Sequence, residues 1–199
     1  MDMDTYTAFA SLKSSEWRAL SQRWNTDDDH TYVRRFQARN RQNQSLLARA
    51  LIRRHWYSAG KADDALHKPI DLQSPGLSIA HRKDTVGIAV NDHVLVGIDV
   101  EDTAQDRNFK ALAESIFSGQ STPLSVYADA AQFYKFWTGW EASIKACRHK
   151  PDAQDALLAS DFWRFGDTVK VILAGSILSI TWHTMEPPYL WAIAELRDL

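Results

Sequence analysis

The chain has 199 residues, 45% of them hydrophobic, a net charge of −2 and one cysteine, Cys147. That is enough apolar material for a packed core in one domain or two small ones. The lone cysteine excludes a disulfide framework and a multi-thiolate metal site, and the charge balance argues against nucleic acid as the partner. The opening MDMDTYTAFA lacks the basic and apolar regions of a signal peptide, and no stretch has the length to span a bilayer. A soluble cytoplasmic protein that does not engage membranes is therefore expected.

In chain order, TYTAFA (5–10) reads as a first strand and Ser14-Ser15-Glu16 as a helix start. After the acidic run Asp27-Asp28-Asp29, residues 31–54 hold Arg34, Arg35, Arg39, Arg41, Arg49, Arg53 and Arg54 with no acid among them. Such a block is either a positive field for a phosphorylated ligand or acidic partner, or a solvated helix face balanced elsewhere. Leu47, Ala50, Leu51 and Arg54 at helical spacing predict a helix over 44–57, ending near Gly60. A polar, proline-containing connection follows. LSIAH, TVGIAV and VLVGIDVE read as strands, and Asn91-Asp92-His93 between the last two reads as a hairpin turn. Residues 107–117 and 129–147 read as helices. FWRF, TVKVIL, SILSITW and YLWAIAEL read as strands, with a hairpin at Ala174-Gly175. The expected class is α+β, with halves at 1–95 and 96–199.

The common phosphate-loop, dinucleotide-binding and nucleophile-elbow motifs are missing, and the seven histidines lack zinc-site spacing. The chemistry therefore rests on carboxylates. In VGIDVE, Asp99 and Glu101 share one strand face, roughly 7 Å apart. The pair either offers two oxygen ligands to a hard cation such as Mg²⁺ or lies on a solvent-facing strand opposite lysines. In WTGWEASIKA, Trp137, Glu141 and Lys145 stand four apart on one helical face. Glu141 and Lys145 alone are an ordinary surface pair. With Asp99 and Glu101 they make three acids and a cation, a constellation suited to phosphoryl transfer. A metal-dependent nuclease would also combine acids with a lysine, but its glutamate and lysine commonly stand two apart on a strand.

The order and spacing of these residues resemble the 4′-phosphopantetheinyl transferases, in particular their larger monomeric type. The family's Ser-His-Ser-like strand corresponds to Ala80-His81-Arg82, and its Gly-Ile/Val-Asp-x-Glu to Gly97-Ile98-Asp99-Val100-Glu101. Phe117-Ser118 follows, then Trp137 to Lys145 in place of Trp-x-x-Lys-Glu-(Ala/Ser)-x-x-Lys. The likeness runs from about residue 45 to 146. It implies two similar halves related by pseudo-twofold symmetry, each a small, mostly antiparallel sheet with helices. The first half would contact coenzyme A, and the second would hold the acids and the catalytic helix. It implies transfer of 4′-phosphopantetheine from coenzyme A to a serine of an apo acyl or peptidyl carrier protein, by a monomer. By that likeness Asp99, Glu101 and Glu141 hold Mg²⁺, Glu141 takes the serine proton, and Lys145 stabilises phosphate charge. Arg53, Lys68, His81 and Arg82 would join Lys145 in meeting coenzyme A. This chain departs from the pattern at Ala80, Arg82, His67 and Trp140, and lacks an acid after Phe117-Ser118. The alternative those departures leave is a catalytically impaired module that binds coenzyme A or a carrier protein.

Overall fold

A computed structural model describes residues 5–61, 66–105, 108–109, 111–112, 129–158, 168–185 and 189–199. Its contacts divide the chain into two compact units, Met1–His93 and Val94–Leu199. The fold is mixed α+β, with two antiparallel sheets and five helices among the described residues. No helix of the described residues is long and apolar enough to cross a membrane.

The N-terminal unit is built on strands β1 (Tyr6–Ser11), β2 (Leu77–Arg82) and β3 (Thr85–Val90), in the order β1-β3-β2. Helices α1 (Glu16–Trp24), α2 (Asp27–Val33) and α3 (Arg39–Ser58) complete it. Leu47, Leu51 and Ile52 of α3 meet Val86, Ile88 and Val90 of the central strand β3. The helix is buried over ten consecutive residues, Gln44 to Arg53, so α1 and α2 cover the side away from the sheet. The acidic run 27–29 forms the first turn of α2, with Asp27 and Asp28 exposed and Asp29 buried. Thr26 caps it and Asp29 answers in a reciprocal capping box.

The C-terminal unit contains β4 (Leu95–Asp102), α4 (Ala130–Cys147), α5 (Pro151–Leu158), β5 (Thr168–Leu173), β6 (Ser176–Met185) and β7 (Tyr189–Asp198). Its sheet order is β4-β7-β6-β5. Alternate residues of β6 and β7, among them Leu178, Ile180, Ala192 and Ala194, join Phe133, Phe136 and Trp140 of α4 in the core. Ala174 and Gly175, at φ 45° and 81°, make the tight β5–β6 turn expected from the sequence.

The reading of Asn91-Asp92-His93 as a hairpin is corrected: β3 and β4 belong to different sheets. The hairpin is β2–β3, with Lys83 at φ 49° in its turn. Asn91 instead ends β3 by tying back within its unit, its N–H donating to the Gly76 carbonyl and its side-chain amide to Thr5 Oγ1. Of the helix expected over 107–117, residues 108, 109, 111 and 112 are described, and the Leu112 N–H makes a turn bond to the Asn108 carbonyl. Its remainder, and the FWRF strand, lie outside the described residues.

Candidate functional site

In the C-terminal unit, helix α4 lies directly on β4 because Gly97 has no side chain. A Cβ there would overlap the Ala142 carbonyl and fall 2.7 Å from the Ala146 nitrogen. This close approach brings one helix face onto the acidic face of the strand. Lys145 Nζ donates to Asp99 Oδ1 at 2.7 Å and to the Ile98 carbonyl at 3.0 Å. Two turns earlier, the Trp137 indole N–H donates to Glu101 Oε1 at 3.0 Å. Glu141 stands between them on the same helix face.

Asp99 and Glu101 are therefore not solvent-facing strand acids; they are 9% and 7% exposed. Nor do Glu141 and Lys145 form a simple surface pair, since Lys145 reaches across to the strand. Burial pushes the Glu141 carboxyl above its ordinary pKa and the charge of Asp99 adds to that, while Lys145 opposes it. Asp99 and Glu141 are thus close enough to repel, and Lys145 stands near both.

The donor chemistry fits a hard divalent cation: carboxylate oxygens, with neither thiol nor imidazole among them. Among the described residues no three acidic, histidine or cysteine side chains converge to ligand spacing, and Lys145 is the cation that Asp99 holds. Trp140, where the resemblance expects a lysine, is 5% exposed and packs in the core beside Phe136. Its neighbour Gly139 makes room for the Trp182 ring, whose N–H donates to the Lys135 carbonyl at 2.6 Å. The apolar bulk at 140 therefore faces inward, not toward the carboxylates.

In the N-terminal unit, the four residues assigned to coenzyme A separate. Arg53 is 1% exposed and binds inward: to Asp29, and to the carbonyls of Trp24, Leu66 and Lys68. Arg49 Nε meets the other oxygen of Asp29 at 3.1 Å. The buried triad fastens α2 and the 66–68 segment to α3. The guanidinium of Arg53 thus anchors the backbone that carries Lys68. Lys68 itself is exposed and lines a cleft of about 320 Å³ with Trp56, Ile70, Asp71 and Ser74.

His81, half-buried on β2, lines a second and smaller cavity of about 180 Å³ together with Tyr32, Arg35, Arg41 and Ser45. Arg82 follows it at the end of the strand and lines neither cavity. Two guanidiniums stand over the Tyr32 ring, Arg35 3.6 Å and Arg49 4.1 Å from its centroid. Ser45 Oγ accepts from Arg49 at 2.5 Å. The side-chain amides of Asn40 and Gln44 donate to the Lys83 carbonyl, fixing the β2–β3 turn beside His81. The segment 70–77 contributes to both cavities: Leu72 and Gln73 to the one, Ile70, Asp71 and Ser74 to the other. Arg35, Arg41 and Ser45 were not among the expected site residues. The arginines were visible in the basic block, but nothing local told which of its members point to a cavity.

No family model matches the chain. A search of curated proteins returns no match either. The functional reading therefore stands on the residues and their geometry.

Proposed function

We propose that the chain is a Mg²⁺-dependent 4′-phosphopantetheinyl transferase acting from coenzyme A onto an apo acyl or peptidyl carrier protein. The observation that carries this reading is the cluster of Asp99, Glu101, Glu141 and Lys145 formed where α4 presses onto β4 at Gly97. The cationic cavity beside His81 supports it, because Arg35 and Arg41 offer fixed positive charge to a phosphate. The reading carries with it a cytoplasmic monomer whose halves are related by pseudo-twofold symmetry.

In this reading the serine oxygen of the carrier forms a bond to the phosphorus bearing pantetheine. The bond from that phosphorus to the leaving adenosine 3′,5′-bisphosphate breaks. Glu141 accepts the serine proton, a role suited to a carboxylate whose basicity is raised by burial. Lys145 donates to phosphate oxygens, and Asp99 keeps its ammonium aimed. Trp137 holds Glu101 by one oxygen. Asp99, Glu101 and Glu141 would hold the Mg²⁺, which when bound offsets the charge of the pyrophosphate.

The test is intact-mass analysis of apo acyl carrier proteins incubated with the chain, coenzyme A and Mg²⁺. A phosphopantetheine-sized gain is expected, absent with EDTA and lost in Asp99→Asn and Glu141→Gln. Full activity in both variants would refute the assignment of the acids. A second reading, a module that binds without turnover, draws on the ion pair of Lys145 with Asp99, which gives one oxygen of that acid a cation without a metal. Coenzyme A binding with no gain across a panel of carriers would favour it.

A further inference from the structure

Six of the seven arginines in residues 31–54 divide three ways. Arg49 and Arg53 go inward to Asp29, while Arg35 and Arg41 line the cavity beside His81. Arg34 and Arg39 enter neither arrangement. With Arg18 of α1 they line a separate groove of about 610 Å³ formed by α1, α2 and α3. All three arginines are exposed, and none forms an ion pair among the described residues. The floor is mainly apolar: Val33 and Leu46 are buried, with Ser21 the buried polar residue beside them, and Trp17 is half-buried near Arg18, whose guanidinium lies 5.7 Å from its ring. Asn43 and Gln42 add amides along one wall.

We propose that this groove docks an acidic, amphipathic helical segment of a partner protein. An arginine rim around a tryptophan-containing apolar floor is the composition of protein interfaces, in which anchors fill the centre and charges select the partner. The floor needs hydrocarbon side chains, which an inorganic anion or a phosphodiester backbone does not supply. Asp27, in the same lining with Asp28 beside it in sequence, further disfavours a continuous phosphate track. A helix laid in the groove meets the floor with residues at i, i+3, i+4 and i+7 and the arginines with carboxylates on its flanks. This inference is independent of the proposed transferase reaction.

The experiment titrates the 199-residue chain with a synthetic helical peptide carrying Leu and Phe on one face and Glu on the flanks. The same peptide with Gln for Glu, a single-stranded oligonucleotide and inorganic polyphosphate are run alongside. Binding is read by calorimetry, and its location by chemical-shift changes of the Trp17 indole and the Asn43 side-chain amide. The acidic peptide is expected to bind and move those signals. At least a ten-fold loss of affinity is expected with the Gln peptide and in Arg34→Glu/Arg39→Glu. Arg34→Gln/Arg39→Gln should give an intermediate loss, with circular dichroism unchanged in both variants. The proposal is overturned if the acidic peptide does not bind or binds the charge-reversed variant equally. It is likewise overturned if the signals that move lie elsewhere, or if the oligonucleotide or polyphosphate binds the groove more tightly than the peptide.

Discussion

Replacing Gly97 with alanine tests the contact on which the acid–lysine cluster depends. The added methyl carbon would lie 2.7 Å from the Ala146 nitrogen and 2.9 Å from the Ala142 carbonyl carbon, besides overlapping the Ala142 oxygen. Ordinary contact begins near 3.5 Å, so α4 must lift from β4 by at least roughly 0.8 Å. Both partners are backbone, so no rotamer change relieves the clash, and overpacking of this kind costs about 1–3 kcal/mol. The lower unfolded-state entropy of alanine returns about 0.4–1 kcal/mol of that. The same displacement takes the 2.7 Å bond of Lys145 to Asp99 to the edge of hydrogen-bonding distance. A misplacement near 1 Å lowers a rate on the order of 100-fold. The variant should therefore unfold earlier in urea, lose carrier modification, and shift the Trp137 indole N–H resonance as its bond to Glu101 loosens. Wild-type stability together with an unmoved indole signal would refute the close approach of α4 to β4.

Asp29→Asn leaves Arg49 and Arg53 buried without their carboxylate and should cost the N-terminal unit about 3–5 kcal/mol in urea unfolding. A loss below about 1 kcal/mol would mean that the triad does not hold α2 in place. Burial holds His55, stacked 3.9 Å from Tyr6, below the ordinary imidazole value of 6.5, with Lys61 adding to the shift and Asp92 opposing it. The unfolded chain then binds the proton more readily, so His55 costs nothing above that value and destabilises progressively as pH falls below it. His55→Phe should flatten this acid-side slope, which pH-dependent melting measures. The Cys147 thiol, fully buried, is pushed up to about 11, so a thiol-specific disulfide reagent at pH 8 should label it only at the rate of unfolding.

The parts of the fold that were legible were those fixed by local pattern. Alternation in TVKVIL and SILSITW, with Ala174-Gly175 between, specified a hairpin, and the spacing of Trp137, Glu141 and Lys145 specified the helix face that meets β4. Two helices were overlooked although their signals are local: Thr26 with Asp29 is a capping box, and Pro151-Asp152 is a favoured helix start. The Asn91 error is of another kind. An Asn-Asp step between β-branched runs does mark a break, but which strands pair is decided by partners far away: β4 pairs with β7, nearly a hundred residues on. The fate of the arginines was illegible for the same reason. Arg53 is at the surface or inside depending on whether a carboxylate arrives to meet it, and Asp29 arrives from a different helix.

The acid pair of VGIDVE can now be weighed without a metal. One oxygen of Asp99 receives Lys145 and one of Glu101 receives an indole N–H, while burial and the charge of Asp99 bias Glu141 toward its protonated form. The cluster is thus folded and held in position, with Lys145 paired to Asp99 and Glu141 pushed toward its neutral form by burial. A ligand that binds the native cluster and not the unfolded chain stabilises by RT ln(1 + [L]/Kd), about 2.7 kcal/mol at a hundredfold excess over Kd. Mg²⁺ should therefore raise the melting temperature of the intact chain at neutral pH. The rise should disappear in Asp99→Asn and be blunted at acid pH, where protonation of the carboxyls competes with the ion. Equal stabilisation of wild type and Asp99→Asn would place the ion elsewhere. No stabilisation at millimolar Mg²⁺ would mean that the Lys145 pair with Asp99 is the cluster's resting compensation and that any metal must arrive with the phosphate it neutralises.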